Sequence, residues 1–446
     1  MTVDREVSSA QRKVWVLDRL HPGTAAYTVP LVYRIDGDLD LAVLERSLSE
    51  IVRRHDILRT VYRVRSGGVR QVALPAQPVS IPVVDVSGHE DPPAEARRLA
   101  AAESRRPFDL ACGPVMRPLL LRSAPGRHLL CLTLHHIACD GWSLHVLERE
   151  LSTCYRSWRV GRAPELPPLP EQYADFAEWQ AARIADPALR PTLDHWRRRL
   201  ADVPAPATLP ADRPRPPVQS FAGGHVRFTV EPPVAERVGL LARACRATPF
   251  AVLLAAYAAL VHVRGGGAEA VIGAPVTSRR RESDHRLIGM FVNTVVHRVD
   301  VSGAPTFREL VHRARDESRS AMAHRAAPFE LLVEELNPVR DPGFNPLFQL
   351  MLGYQEAEES GLVLPGCEVE RKFGDTATAK VDLSLTMTRD HERYTGRLEY
   401  NSDLFEATTA HSIAEQFRTL LATGTADPQL GIGTLGHGPG HALRNA

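Results

Sequence analysis

The sequence predicts a soluble mixed α/β protein with two domains. Strand-like and helix-like stretches alternate in both halves of the 446-residue chain, and the proline-rich segment Ala163–Pro170 lies between them. Hydrophobic residues make up 44% of the chain, which is enough for a sizeable core. We therefore expect one domain over residues 1–175 and a second over residues 176–446, with a cleft where they meet.

Each half contains elements that local patterns define well. Val29–Ile35 has the content of a strand, and Asp40 can cap a helix that runs to about Arg54. His128–Leu134 is an apolar run that reads as a second strand. In the other half, Thr248–Val263 is apolar on all faces, with a threonine cap and a proline at its first position, so it predicts a buried helix.

Composition argues against several classes of protein. The net charge of +1 shows no excess of basic residues of the kind that nucleic-acid-binding proteins carry. The N-terminus has no secretory signal, and no run reaches the roughly 20 apolar residues of a membrane span. The six scattered cysteines form no CxxC pair and are expected to be reduced. We expect a cytoplasmic protein that binds neither a membrane nor nucleic acid.

The most informative stretch joins His135 and His136 to Asp140 and Gly141. The histidines follow the strand His128–Leu134, and apolar residues at helical spacing begin at Leu144. Neighbouring residues on a strand point to opposite faces, so only one histidine would enter a cleft; the pattern does not say which. Histidine moves protons near neutral pH. The stretch indicates acyl transfer.

Several chemistries remain open from these residues alone. The histidine could act as a general base or hold a nucleophile by a hydrogen bond. Asp140 could orient the imidazole, as in a catalytic triad, or brace the turn by pairing with an arginine. Cys139 as a nucleophile and a metal held by His136 and Asp140 are weaker alternatives, because no activating group and no second ligand cluster is evident.

The flanking motifs resemble those of nonribosomal peptide synthetase condensation domains. His135–Gly141 resembles HHxxxDG, a motif shared with acyltransferases of the chloramphenicol-acetyltransferase type, and further motifs in the family's order cover nearly the whole chain. These motifs are Ser9–Arg12 with Trp15, Arg54–Thr60, Tyr173–Trp179, Ile288–Thr294, His324 with Pro328–Glu330, and Arg340–Asp341 with Asn345–Gln349.

The resemblance implies a fold and a reaction. Two chloramphenicol-acetyltransferase-like lobes would form a V, with an active-site tunnel at their joint. Donor and acceptor peptidyl carrier proteins would each deliver a substrate on a phosphopantetheine arm. The acceptor amine would attack the donor thioester to form an amide, and a hydroxyl acceptor would form an ester instead. The enzyme would need no cofactor and no metal of its own.

The resemblance also assigns roles to residues. His136 inherits the place of the histidine that faces the tunnel, and Gly141 would lend its backbone near the thioester. Asp140 would be structural and pair with Arg279, which lies in the segment Gly273–Arg279 that resembles GxPVxGR with Ser278 in place of a glycine. The other residues expected to support the site are His135, Trp142, Ser143, Asn293 and Gln349.

Rival functions share parts of this pattern. An epimerization domain also carries HHxxxDG, a condensation-like recruiting module would bind a partner enzyme without catalysis, and another acyltransferase would use coenzyme A or a small free acceptor. Met1 and the tail through Gly436–Gly440 favour a free-standing enzyme over an excised domain. The sequence does not identify the donor, its stereochemistry or the acceptor.

Overall fold

Strands and helices alternate along the chain in the computed structural model, which describes residues 4–65, 67–201, 203, 208–338, 341–357 and 361–435. The predicted mixed α/β class is confirmed. Arg340 of the last family motif and the tail residues Gly436–Gly440 lie outside the described residues.

The described strands run from the N-terminus to residue 401. They are β1 (Asp4–Glu6), β2 (Thr28–Gly37), β3 (Thr60–Arg65), β4 (Gly68–Ala73), β5 (Val83–Asp85), β6 (Met116–Ala124), β7 (Arg127–His135), β8 (Gly223–Val230), β9 (Glu269–Thr277), β10 (Val292–Asp300), β11 (Leu350–Glu356), β12 (Cys367–Phe373), β13 (Leu383–Asp390) and β14 (Arg393–Asn401).

The described α-helices lie between residues 9 and 435. They are α1 (Ser9–Leu20), α2 (Leu41–Arg54), α3 (Pro92–Arg105), α4 (Gly141–Arg159), α5 (Tyr173–Ala185), α6 (Arg190–Leu200), α7 (Pro232–Ala244), α8 (Pro249–Val263), α9 (Phe307–Ala323), α10 (Phe329–Leu336), α11 (Ala407–Ala426) and α12 (Ile432–Leu435). Asp40 caps α2 and Thr248 caps α8, as their side-chain chemistry predicts.

The chain divides into two compact units, and the division is not a single cut. The first unit contains residues 1–187, 277–292 and 358–376, and the second contains 188–276, 293–357 and 377–446. This differs from the expected boundary after residue 175, because two later segments belong to the first unit. One of them carries β12, which pairs with β2 in an antiparallel ladder of backbone hydrogen bonds. Local sequence patterns do not predict this pairing.

The first unit is built on two sheets. Three strands form a small antiparallel sheet in the order β1-β4-β3, and five form the main sheet in the order β12-β2-β7-β6-β5. Helix α3 covers one face of the main sheet, where Val32, Leu121 and Cys131 are buried with Ala96 and Ala100 of the helix. β7 is central in this sheet, and its last residue, His135, pairs with Thr28 of β2.

The second unit has a six-stranded sheet in the order β10-β9-β11-β13-β14-β8. Every residue from Ala251 to Val261 of α8 is buried, which confirms the predicted core helix. No single described helix is long and apolar enough to cross a membrane, and one consecutive pair, α7 and α8, meets the length and composition criteria only as a unit bent by 106°.

Candidate active site

The two adjacent histidines have different environments at the end of β7. The ring of His135 is buried, its Nδ1 accepts the Ile137 N–H at 3.2 Å, and the ring meets Phe108 edge-on. His136 is only partly buried, and it begins a short 3₁₀ turn over His136–Ala138. β7 ends at His135 and His136 belongs to the turn, so one imidazole is buried in the fold and the other is partly exposed.

Backbone hydrogen bonds hold the start of the turn. The N–H of His135 donates to the Val115 carbonyl at 2.9 Å, and the N–H of His136 donates to the Tyr27 carbonyl at 2.7 Å. The backbone of both histidines is therefore fixed by the residues that directly precede β6 and β2. Cys139 is fully buried, and its Sγ lies 3.7 Å from the carbonyl oxygen of His135, so the thiol is not accessible as a nucleophile.

Asp140 caps the N-terminus of α4 and is the centre of a buried polar cluster. Its Oδ1 accepts the N–H of Ser143 at 2.8 Å as the helix cap, and its Oδ2 accepts the N–H of Phe291 at 3.0 Å. The guanidinium of Arg279 donates from Nη2 to Asp140 Oδ1 at 3.0 Å. The carboxylate thus bonds three residues, Ser143, Phe291 and Arg279, and these bonds fix the start of α4.

Of the three consecutive arginines at residues 279–281, Arg279 is the one that pairs with Asp140. Its side chain is 1% exposed, and beyond Asp140 it donates to the carbonyls of Asp284 and Leu287. Burial lowers the pKa of the Arg279 guanidinium, and the Asp140 carboxylate opposes that shift. The next residue but one, Arg281, pairs instead with Asp284 and Glu171.

Ser143 joins α4 to the segment around Gly289. Its Oγ lies 2.6 Å from Asp140 Oδ1 and 2.7 Å from the Gly289 carbonyl oxygen, and it accepts from the Gly289 N–H and from Arg279 Nη2, both at 3.0 Å. Trp142 is 42% exposed, and its indole N–H donates to the His285 carbonyl at 2.9 Å. Both side chains therefore fasten the start of α4 to residues 285–289.

Gly141 is exposed and stands at the first position of α4. A Cβ built on this residue would meet no protein atom within 4 Å, and the residue does not lie in the left-handed region. Neither packing nor backbone strain in the described protein requires a glycine at this position. Among the described residues, no group of three or more His, Cys, Asp or Glu side chains is arranged to hold a metal ion.

Comparison with known proteins accounts for this arrangement. The family model described as "Condensation domain" matches residues 3–437. The chain belongs to the condensation domain family. It is 40% identical over 425 residues to the phosphinothricin tripeptide synthetase PhsB of Streptomyces viridochromogenes, and 39% identical over 433 residues to the probable non-canonical nonribosomal peptide synthetase CymA of Salinispora arenicola.

These alignments cover 94% and 95% of the condensation domain but 36% and 6% of the two relatives, so the chain spans only part of the length of the synthetases it matches. Among solved structures it is similar to the X-domain from teicoplanin biosynthesis, with a TM-score of 0.88 and 30% identity over 96% of each chain. The same X-domain has been solved in complex with OxyB.

Two predicted supporting residues of the condensation domain lie in the second unit and hold its loops. Asn293 is 8% exposed; its amide donates to the carbonyls of Arg325 and Ala327 and its oxygen accepts the N–H of Phe329. Gln349 is fully buried, and its side chain bonds the N–H and the carbonyl of Asn345. Both amides therefore bond backbone groups of their own unit.

Sequence reasoning missed one buried cluster beside the site. Glu150 of α4 accepts from Arg54 Nε at 3.1 Å and lies 2.8 Å from His55 Nε2, and all three side chains are at most 10% exposed. Arg54 and His55 open the second of the family motifs, so this motif is tied directly to α4. The available signal was a glutamate between Leu147 and Leu151, on the side of the amphipathic helix α4 that carries its leucines.

Proposed function

We propose that this condensation domain joins a donor acyl or aminoacyl thioester to an acceptor amine, with both substrates tethered to carrier proteins by phosphopantetheine arms. Nitrogen attacks the thioester carbonyl, the C–N bond forms and the C–S bond breaks. The amine loses a proton and the departing thiolate gains one. The same site would form an ester from a hydroxyl acceptor. The phosphopantetheine would belong to the carriers, and the domain would need no cofactor of its own.

The observation that carries this proposal is the contrast between the two histidines. His135 is buried and its ring accepts a backbone hydrogen bond within the fold. His136 is partly exposed on a turn whose backbone is fixed by hydrogen bonds. A free amine with a pKa near 8 is partly protonated at neutral pH, so a proton must leave before or during attack. His136 can accept that proton or hold the amine by a hydrogen bond, and proton transfer contributes about 10²–10⁴-fold.

Gly141 would supply open backbone beside the reacting thioester. A Cβ at this position would occupy space that no described protein atom uses, so a side chain here would obstruct a substrate and not the fold. Holding two tethered reactants in line also lowers the barrier, because the entropy of bringing them together is lost in binding and not in the chemical step. The rigid Asp140–Arg279–Ser143 cluster would maintain that alignment.

The test is reconstitution with loaded carrier proteins. Donor and acceptor carriers are mixed with the protein, and the condensed product is followed by intact-protein mass spectrometry. We expect product from the wild type and at least about 10²-fold less from His136→Ala. His128→Ala is the matched control, since His128 lies on the same strand and outside the site. Equal turnover of His136→Ala and wild type would contradict the role of His136.

A recruiting module is the second candidate, and the likeness to the X-domain favours it. Such a module would give no product with any carrier pair and would bind a partner enzyme. An epimerization domain would instead invert the α-carbon of one aminoacyl carrier without an acceptor. Omitting the acceptor and analysing the released amino acid on a chiral column distinguishes this outcome from condensation.

A further inference from the structure

The segment Gly289–Phe291 is held at three successive residues in the first unit. Ser143 bonds both backbone groups of Gly289, and Asp140 accepts the N–H of Phe291. The residue between them, Met290, has its carbonyl held by the hydroxyl of Tyr173 at 2.7 Å. Tyr173 therefore completes the attachment of this segment, which α4 holds through Asp140 and Ser143.

The ring of Tyr173 packs closely against Gly289 and Phe291. A Cβ at Gly289 would come within 2.0 Å of Tyr173 Cδ2, so the glycine is what allows the ring to lie there. The ring also meets Phe291 edge-on at 5.0 Å between centroids, and the guanidinium carbon of Arg279 in turn lies 3.9 Å from the centre of the Phe291 ring. Tyr173 is 1% exposed, which gives this contact little freedom.

A second hydroxyl fixes the direction of this hydrogen-bond chain. Ser8 Oγ lies 2.8 Å from Tyr173 Oη and also accepts the N–H of Gln11. Because the single proton of Tyr173 points to the Met290 carbonyl, which can only accept, Ser8 must donate to Tyr173. The chain therefore runs from the start of α1, through two buried hydroxyls, to the segment that pairs with Asp140.

The same start of α1 also reaches the histidine turn. The side-chain oxygen of Gln11 accepts the N–H of Ser8, and its amide donates to Tyr62 Oη at 2.9 Å and to the Ile137 carbonyl at 3.5 Å. Ile137 follows His136 directly. Ser8 and Gln11 thus connect the Tyr173 contact with the turn that carries His136, and the side chains of Ser8, Gln11, Tyr62 and Tyr173 are all buried.

We propose that Tyr173, with Ser8 as its donor, is a positioning residue for His136. The inference rests on the proposed function for its kinetic consequence. Removing the Tyr173 hydroxyl leaves the Met290 carbonyl and the Ser8 hydroxyl without this partner in a buried setting, and the segment that holds Asp140 and Ser143 shifts to compensate. The histidine turn and the first turn of α4 then lose their alignment, while the exposed surface of the protein keeps its residues, because Tyr173 is buried.

The test compares Tyr173→Phe with Tyr155→Phe. Tyr155 is also fully buried in the first unit, and its hydroxyl bonds a backbone group too, accepting the N–H of Asp40. None of its described hydrogen bonds goes to residues 289–291. Both variants are expected to unfold at lower denaturant concentration than wild type. Only Tyr173→Phe should lose kcat, by about tenfold, with KM for each carrier within about twofold.

A second readout does not depend on activity. The ring resonances of His136 are assigned by their loss in His136→Ala, and we expect them to move in Tyr173→Phe and to stay in place in Tyr155→Phe. Ser8→Ala is the milder companion variant should Tyr173→Phe fold poorly. Its effect on kcat should not add to that of Tyr173→Phe, because both act on one chain of hydrogen bonds.

The outcomes separate the two proposals. Equal kcat for the two phenylalanine variants, together with unmoved His136 resonances, would overturn the positioning role and leave Tyr173 a purely structural residue. Absence of product from the wild type would instead refute condensation, and the resonance comparison would still decide whether Tyr173 orders His136.

Discussion

Arg279 and Asp140 form a buried ion pair although 139 residues separate them in the chain. Their side chains are 1% and 4% exposed, so neither charge is compensated by bulk water. The pair fastens the first turn of α4 to the segment 277–292, which comes from the later half of the sequence. We expect the fold around His136 to depend on it.

Replacing Asp140 with alanine should lower the free energy of unfolding by about 3–5 kcal/mol, because Arg279 remains buried and charged without its partner. Chemical denaturation measures this change. Adding Arg279→Met to that variant should restore part of the stability, since the second substitution removes the unpaired charge. A well-folded Asp140→Ala protein that has lost only turnover would show that the carboxylate acts in the chemistry and not as a brace.

The two histidines should separate stability from activity. His135→Ala removes the ring that caps the Ile137 N–H and packs on Phe108, so we expect a loss of about 1–3 kcal/mol in the free energy of unfolding. His136→Ala should lower that free energy less than His135→Ala does, because the His136 side chain is only partly buried. Urea titration of both variants, each with its condensation rate, provides the comparison.

Gly141→Ala is expected to fold as well as the wild type. Its added methyl group meets no protein atom within 4 Å, and alanine is the better residue in a helix. The melting temperature should therefore be equal or slightly raised. If a thioester approaches this backbone, the condensation rate should fall in spite of the intact fold. A full rate in this variant would remove Gly141 from the proposed site.

Stability should decline in acid through His297 of the second unit. Burial beside Phe250 lowers the pKa of this imidazole from 6.5 to about 4. Between pH 6.5 and pH 4 the unfolded chain binds the proton and the folded chain does not, so stability falls as pH falls through this window. The loss approaches about 3 kcal/mol at its lower end.

His297→Leu should flatten the pH dependence across that window, because leucine removes the titrating group. Denaturation midpoints measured in small pH steps across the same window give the two curves. A variant curve parallel to that of the wild type would show that other groups cause the acid sensitivity.

Local patterns determined much of this protein. The periodicity of apolar residues predicted the mixed α/β class, the caps Asp40 and Thr248, and the buried helix α8, because each depends on residues within a few positions of one another. The motif around His136, together with the flanking motifs in the family's order, likewise identified the family from the sequence itself.

Tertiary structure decided which groups meet. It buries His135 and leaves His136 partly exposed. It pairs Asp140 with Arg279, whereas Arg281 pairs with Asp284. It also places β12 beside β2 and ties Tyr173 to Met290. These contacts join segments far apart in the chain, and their energies depend on burial and geometry that exist only once those segments pack, so no local pattern contains them.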